Sequence, residues 1–250
     1  LLAIVVCIAM MVPTVAFAAT SSPAKVDVKS ATAKSLTYNA KSQTTTIVVN
    51  GKTLTLNKDF KVVSGSLKAT KAGTYTVKIK GIGNYSGDTT VKYTVNAQQS
   101  YKATAAAKTY NAKNQTTKVT VKYGNTVLKR GTDYKITGVT KAKNAGKYKI
   151  TVKGINNYKG IKTIYYTINK AAQKSVKVKV NASKKKITVS GVKAKAKVTY
   201  KSANKKVKVK NGKITVVKGV KKGTKVRITV KVAATKNYKA YSKSIIYKVK

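Results

Sequence analysis

The chain has 250 residues, enough for two or three small domains, and its apolar content of 42% allows buried cores. Lysine and arginine number 54 against 4 acidic residues, so the formal net charge is +50 and the chain should attract polyanions. Because histidine and glutamate are absent, the chain lacks the usual groups for acid–base catalysis and for clustered calcium ligands, and we predict no enzyme, metal or cofactor.

The N-terminal stretch from Leu1 to Ala19 is apolar, carries no charge and contains the single cysteine, Cys7. It ends Ala16-Phe17-Ala18-Ala19, and small residues three and one before a cut after Ala18 are typical of a secretory signal. We expect residues 1–19 to be a signal peptide truncated at its N-terminus, followed by a secreted chain without disulfides. The alternative is an uncleaved membrane anchor. No other stretch of the sequence is apolar and long enough to span a bilayer.

The first predicted domain covers residues 20–97 and begins with a polar lead-in. Its later part alternates apolar residues with threonine and lysine, which indicates strands buried on one face. Asn50-Gly51 suits a type I′ hairpin turn, because both residues tolerate positive φ. The predicted inward residues of the two long strands are Tyr75, Val77, Ile79, Val91, Tyr93 and Val95.

The second predicted domain, residues 98–171, repeats the first after a second polar lead-in from Ala97 to about Lys108. The opening segment around Tyr38 returns around Tyr110, and the closing segment around Tyr85 returns around Tyr158. A repeat this long with strand-like segments inside it is a duplicated domain rather than a turn of a solenoid. The inward residues should be Tyr148, Ile150 and Val152, then Ile164, Tyr166 and Ile168.

Residues 172–250 predict a third domain of a different type. Its strongest strand contains Val226, Ile228, Val230 and Val232, and Asn211-Gly212 predicts another hairpin. Short strands with turn signals about every ten residues indicate antiparallel sandwiches. The predicted fold class is therefore all-β, with three β-sandwich domains in tandem.

The first two domains resemble the bacterial immunoglobulin-like repeats of Gram-positive surface proteins. The resemblance lies in a Tyr-Asn-Ala-Lys-x-Gln opening, Lys129–Tyr134, Asn144–Gly146 and a Gly-x-x-Asn-Tyr-x-Gly ending. The first domain departs from this pattern at Leu56–Phe60. The resemblance implies immunoglobulin-like sandwiches in a secreted or wall-associated stalk or adhesin, and it implies no particular ligand.

The third domain is similar to a second bacterial immunoglobulin-like family. The matching residues are Val198–Ser202, Val207–Val209, Asn211–Lys213 and Gly223-Thr224. Tyr200 stands where that family usually has tryptophan.

Two sets of residues have both a functional and a structural interpretation. Asp59 and Asp133 occupy equivalent positions, and the functional interpretation is an intramolecular Lys–Asn isopeptide crosslink, known from some Gram-positive surface modules, with this aspartate as the proton shuttle. We favour a turn residue whose side chain bonds nearby amides. The Asn-Tyr pairs at 84–85, 157–158 and 237–238 suit exposed contacts for glycans, and we favour tyrosines packed at sandwich corners.

Many lysines alternate with valine, isoleucine or tyrosine, so we expect them to face outward and to discourage aggregation between sheet edges. The same lysines should hold the protein near anionic polymer, such as teichoic acid or acidic polysaccharide of a Gram-positive wall. No nucleic-acid motif is present, so we expect no sequence-specific nucleic-acid binding. The candidate contacts, expected to act diffusely, are Lys78, Lys80, Lys92, Lys149, Lys153, Lys162, Lys208, Lys210 and Lys231.

We therefore predict a non-enzymatic protein, secreted or at the cell surface, that serves as a stalk or adhesin and is retained partly by charge. The alternative is a dedicated polyanion-binding protein for teichoic acid, glycosaminoglycan or nucleic acid. A focused lysine-rich groove on one domain would favour the alternative, whereas evenly spread lysines favour the stalk. The sequence indicates neither a host ligand nor an oligomeric state.

Overall fold

The computed structural model describes residues 23–250, so the predicted signal peptide and Cys7 lie outside the described residues. The described chain is all-β: its helical elements are two 3₁₀ turns, Val28–Ser30 and Lys193–Lys195. The predicted fold class, all-β with β-sandwich domains in tandem, is confirmed. Across residues 23–250, no helix has the length and apolar character needed to cross a membrane.

The chain divides into two compact units, of which the first comprises described residues 23–36 and 40–95 and the second comprises 37–39 and 96–250. The second unit contains two separate apolar cores, one around Val121 and Ile150 and the other around Ile228 and Tyr247. The boundaries near residues 97 and 171 stay a prediction.

The first predicted domain contains two larger sheets and two short strand pairs. One sheet has the order β3-β11-β9-β7 and the other β2-β5-β6, while β1 pairs with β10 and β4 pairs with β8. The strands are β1 (Val26–Asp27), β2 (Thr32–Ala33), β3 (Leu36–Thr37), β4 (Gln43–Thr44), β5 (Ile47–Val49), β6 (Lys52–Thr53), β7 (Phe60–Gly65), β8 (Lys68–Ala69), β9 (Gly73–Gly81), β10 (Tyr85–Ser86) and β11 (Asp88–Asn96).

The second predicted domain has the corresponding arrangement, β13-β20-β19-β17 beside β12-β15-β16, with β14 paired to β18. The stacked pair Tyr75–Tyr93, with ring centroids 5.2 Å apart, returns as Tyr148–Tyr166 at 5.1 Å. The duplication therefore extends from sequence to packing. The strands are β12 (Lys102–Ala105), β13 (Lys108–Thr109), β14 (Gln115–Thr116), β15 (Val119–Tyr123), β16 (Thr126–Val127), β17 (Tyr134–Gly138), β18 (Lys141–Ala142), β19 (Gly146–Gly154) and β20 (Ile161–Asn169).

The third predicted domain pairs its strands as β21-β22-β25-β24 and β23-β26-β27. Every second residue of its longest apolar strand is buried, from Val226 to Val232, as the alternation predicts. The strands are β21 (Lys177–Asn181), β22 (Lys186–Ser190), β23 (Val198–Ser202), β24 (Val207–Lys210), β25 (Lys213–Val216), β26 (Lys225–Val232) and β27 (Tyr241–Lys248).

Both predicted Asn-Gly hairpins are confirmed. Asn50 and Gly51 have φ of 48° and 78°, and Asn211 and Gly212 have φ of 46° and 79°. Two successive residues with positive φ give a turn whose twist matches that of the flanking strands. The second hairpin therefore places Lys210 directly opposite Lys213.

The lead-in from Ala97 to Lys108 is more structured than its polarity suggests. Within it β12 pairs with β15, and the Tyr101 side chain is only 2% exposed. The Tyr101 hydroxyl donates to the Gly160 carbonyl at 2.7 Å and accepts from the Gly154 amide at 3.0 Å. These hydrogen bonds satisfy the buried phenol hydroxyl, which explains how a tyrosine from this polar segment becomes part of the apolar core of the domain.

Asn237 of the third predicted domain forms hydrogen bonds with the second predicted domain. Its Oδ1 accepts from the Ala145 amide at 2.8 Å, and its Nδ2 donates to Asn144 Oδ1 at 3.1 Å. Next to it, the rings of Tyr110 and Tyr238 meet edge to face with centroids 5.3 Å apart. The opening tyrosine of the second predicted domain thus packs on the closing Asn-Tyr pair of the third.

Candidate anion-binding surface

All nine lysines predicted as polyanion contacts are exposed. Their positions follow from alternation: in β9, β19 and β26 the valines and isoleucines are buried, so the lysines between them point to the opposite face. The structure nevertheless distributes the nine over several sheet faces.

The outward face of the first four-stranded sheet carries Lys78, Lys80 and Lys92. Lys78 lies opposite Thr90, and Lys92 opposite Thr76. Lys80 lies opposite Asp88 on one side and opposite Lys61 on the other. The structure therefore brings these three predicted lysines onto one face and adds Lys61.

The second predicted domain brings together only two of its three candidates. Lys149 and Lys153 lie on the outward face of β19. Lys162 pairs in register with the fully buried Val152, so its side chain leaves β20 on the core-facing side. Its Nζ lies 5.6 Å from the Tyr101 ring centroid. The assignment of Lys162 to the same outward surface as Lys149 is therefore wrong, although Lys162 is exposed at the strand end.

The three candidates of the third predicted domain lie on two different sheets. Lys208 and Lys210 belong to β24, whereas Lys231 belongs to β26 of the other sheet. The larger sheet contains a row of three lysines, Lys186 opposite Lys213 and Lys213 opposite Lys210, of which the sequence analysis assigned only Lys210. We call these three residues the lysine row.

The lysine row concentrates like charge without compensation. Directly opposite residues have Cβ atoms about 4.5–5.5 Å apart, and like charges there are destabilising. The ion pair between Lys29 Nζ and Asp27 Oδ2, 3.7 Å apart, involves none of these three lysines. An anion bound along the row would relieve the repulsion. The flanks of Asn211-Gly212 were the available signal, since a two-residue hairpin must place Lys210 and Lys213 face to face.

An open groove of about 430 Å³ lies on the three-stranded sheet of the second predicted domain. Lys102 lies opposite Lys122 in it, and Thr104 lies opposite Thr120. Two ammonium groups with neighbouring hydroxyls suit an oxyanion. Among the described residues, no cluster of three or more histidine, cysteine or acidic side chains is placed to hold a metal ion.

The structure supports the turn interpretation of the two aspartates. Asp59 Oδ2 accepts from the Thr55 amide at 2.8 Å, and Asp133 Oδ2 accepts from the Lys129 amide at 2.7 Å. Each carboxylate thus closes the loop that precedes its aromatic neighbour.

The Asn-Tyr pairs also take their structural interpretation. Tyr85 and Tyr158 are buried, and Tyr238 is half-buried against Tyr110. Burial, followed by the proximity of Tyr38, raises the pKa of Tyr158 above its ordinary value. These tyrosines are packing residues rather than exposed ligand contacts.

No protein-family model matches the chain, and no curated protein matches it. It is similar to solved extracellular structures. Drosophila N-cadherin EC1-4 is 11% identical, with 92% of this chain and 74% of that chain covered and a TM-score of 0.25. The extracellular domains 3–5 of Drosophila OTK are 8% identical, covering 92% and 98%, with a TM-score of 0.30. The human desmocollin-1 ectodomain is 9% identical, covering 88% and 60%, with a TM-score of 0.24. At such low identities and TM-scores, the similarity says nothing about the function of this chain.

Proposed function

We propose that this is a non-enzymatic, secreted or cell-wall-associated stalk or adhesin of a Gram-positive type bacterium. Its immunoglobulin-like modules serve as a spacer that extends from the cell wall, and their lysines associate with anionic wall polymer. The ligand chemistry is that of teichoic acid or acidic polysaccharide, which present repeated phosphate or carboxylate groups to many weak cationic contacts.

The observation that carries this proposal is the distribution of exposed lysine. Outward lysines occur on the β9 face of the first predicted domain, on the β19 face of the second and on both sheets of the third. A charge of +50 spread in this way creates a field around the whole chain rather than around one cleft. Diffuse attraction keeps a protein near a polymer without fixing one bound orientation, which suits retention of a stalk.

The test measures binding of the full chain to purified cell wall, with and without its teichoic acid, across a salt series. Three triple Lys→Gln variants are compared with the matched Lys→Arg variants, which keep the charge. The triples are Lys78, Lys80 and Lys92; Lys149, Lys153 and Lys162; and Lys208, Lys210 and Lys231.

Diffuse association predicts that log affinity falls linearly with log salt, because bound phosphates release condensed counterions. The three Lys→Gln triples should lose comparable affinity, and the Lys→Arg triples should retain it. A loss confined to one triple contradicts the proposal, as does binding that is insensitive to salt.

A dedicated polyanion-binding protein is the second candidate, and the lysine row favours it. Lys186, Lys213 and Lys210 lie in register on three adjacent strands, so three like charges adjoin one another. If Lys186→Gln/Lys213→Gln/Lys210→Gln abolishes binding while the other triple variants keep nearly the full affinity, the third predicted domain is the binding module. The hypothesis of diffuse association is then wrong.

A further inference from the structure

The outward face of the second predicted domain exposes two large apolar side chains among lysines. Tyr165 is 50% exposed and Ile161 is 64% exposed, both on β20. Lys149 lies directly opposite Tyr165, and Lys153 lies directly opposite Ile161. The Nζ of Lys147 sits 4.3 Å from the centroid of the Tyr165 ring. We call this surface the Tyr165 face.

The duplication provides an internal comparison for the Tyr165 face. The registers of β9–β11 and β19–β20 superimpose with an offset of 73 residues, since Gly73 pairs with Val95 as Gly146 pairs with Ile168. Tyr165 therefore corresponds to Lys92, and Ile161 corresponds to Asp88. The same sheet thus accepts charged residues at both positions. The fold does not require the exposed tyrosine and isoleucine of the second predicted domain.

The chemistry of the Tyr165 face combines three kinds of contact. A phenol ring offers an apolar surface with a polar tip, and it attracts cations to its face. The neighbouring lysines offer ammonium groups to acidic substituents. Between Tyr165 and Ile161, Thr163 lies opposite Thr151, which adds a pair of hydroxyls to the face. Residues four apart on a strand span about 13 Å, so the face matches a segment of extended polymer rather than a single ion.

We propose that the Tyr165 face binds an acidic polysaccharide, with a sugar ring packed on Tyr165 and its acid groups paired with Lys147 and Lys149. The proposal rests on the proposed function and names the ligand class within it. A sugar has an apolar C–H face for the ring, hydroxyls for the threonines and carboxylates for the lysines. A polyphosphate chain has no apolar face to pack on the tyrosine ring, although its oxygens can accept a hydrogen bond from the hydroxyl.

Single-stranded nucleic acid is a different ligand class and is less well matched. Proteins that hold such strands stack successive bases on several aromatic side chains along a groove. On the outward side of β20, the other residues are Thr163, Thr167 and Asn169, none of which is aromatic. One aromatic residue among hydroxyls fits one packed sugar ring better than a stack of bases.

The test uses the full chain and a double variant that leaves net charge unchanged, Ile161→Asp/Tyr165→Lys. It gives the second predicted domain the residues that the first has at the same positions, so the sheet should remain folded. The reciprocal variant, Asp88→Ile/Lys92→Tyr, also leaves net charge unchanged and places the same ring and isoleucine in the first predicted domain, where Thr74 and Thr76 replace Lys147 and Lys149. Binding is measured to polygalacturonate, to inorganic polyphosphate and to oligothymidylate, with a melting curve for each variant.

We expect Ile161→Asp/Tyr165→Lys to weaken polygalacturonate binding roughly three- to tenfold, the size of an aromatic contact. Polyphosphate affinity and its salt dependence should not change. The reciprocal variant has the ring but not the two lysines, so it should strengthen polygalacturonate binding by less than Ile161→Asp/Tyr165→Lys weakens it. Equal effects on polygalacturonate and polyphosphate, or no effect on either, overturn the inference, and a larger effect on oligothymidylate assigns the face to nucleic acid instead. If the unaltered chain binds none of the three probes, the proposed function fails as well.

Discussion

The strand register of the second predicted domain can be tested by placing the same residue on either side of β19. Val152 is 0% exposed and pairs with Ile136, whereas its neighbour Lys153 is exposed and pairs with Lys135. We expect Val152→Asp to lower the free energy of unfolding by about 3 kcal/mol or more. Burial of the valine is worth about 1.5–3 kcal/mol, and a buried carboxylate in its place adds a cost of desolvation that Lys162, opposite it at the exposed strand end, offsets only in part.

Lys153→Asp should change the free energy of unfolding little. It converts a like-charge cross-strand pair into an opposite-charge pair with Lys135, which is worth about 0.2–1 kcal/mol. The lower strand propensity of aspartate offsets this gain by up to about 1 kcal/mol. The net change should therefore be within about 0.5 kcal/mol, as is usual for surface substitutions.

The assay is urea denaturation of the full chain followed by circular dichroism, with m-values checked for each variant. The matched control is the equivalent pair in the first predicted domain, Ile79→Asp and Lys80→Asp, where Ile79 is fully buried and Lys80 is exposed. Each buried substitution should destabilise far more than its exposed neighbour. Lys80→Asp loses its pairing with Asp88 and gains one with Lys61, so its net effect should also be small. Equal losses at Val152 and Lys153 would mean that the register of β19 is wrong.

Three further predictions follow from the boundaries, the junction and the tyrosines. A fragment of residues 98–171 should fold alone with a β-type spectrum and a cooperative melt; disorder in the fragment beside a folded full chain would place the boundaries elsewhere. Asn237→Ala should cost about 1–3 kcal/mol in unfolding of the second unit, because it leaves the Ala145 amide without its acceptor, and an unchanged denaturation curve would rule out that contact. Burial raises the pKa of five tyrosines: Tyr93, Tyr101, Tyr158, Tyr166 and Tyr200. Their contribution to stability is fully present below the ordinary pKa of 10.0 and is lost as pH rises through the raised pKa values. In an alkaline titration their absorbance change should therefore occur at higher pH than that of the urea-unfolded chain, and coincident titrations would show that they are not buried.

The strand faces could be predicted because alternation is a local property of the sequence. Ile164, Tyr166 and Ile168 set the parity of β20, and all face inward or are partly buried as that parity requires. The same alternation places Lys162 on the inner face and Tyr165 on the outer face of β20. The prediction that Lys162 faces outward followed instead from the general expectation that lysines face solvent. A charged side chain at a strand end can reach water from the inner face, so parity rather than polarity determines the direction of the side chain.

Pairings between short, distant segments could not be predicted in this way. Gln43–Thr44 pairs with Lys68–Ala69, and each strand has only two residues. Two residues carry no readable period, and their pairing depends on the sheets that bring them together. Tyr101 was missed for a related reason, since its burial depends on the Gly154 and Gly160 backbone, more than fifty residues away.

The duplicated domain separates what the fold requires from what it leaves free. Buried Thr45 donates its hydroxyl to the Lys34 carbonyl at 2.6 Å, and Thr117 repeats this contact with the Ala106 carbonyl at 2.7 Å. A contact kept in both domains, at positions where an unsatisfied hydroxyl would be costly, is explained by folding alone. The outward positions of Lys92 and Tyr165 share the same backbone pairing and differ in charge, size and polarity. The fold leaves such outward positions free to vary, so the positions at which the two domains differ are where ligand contacts should be sought first.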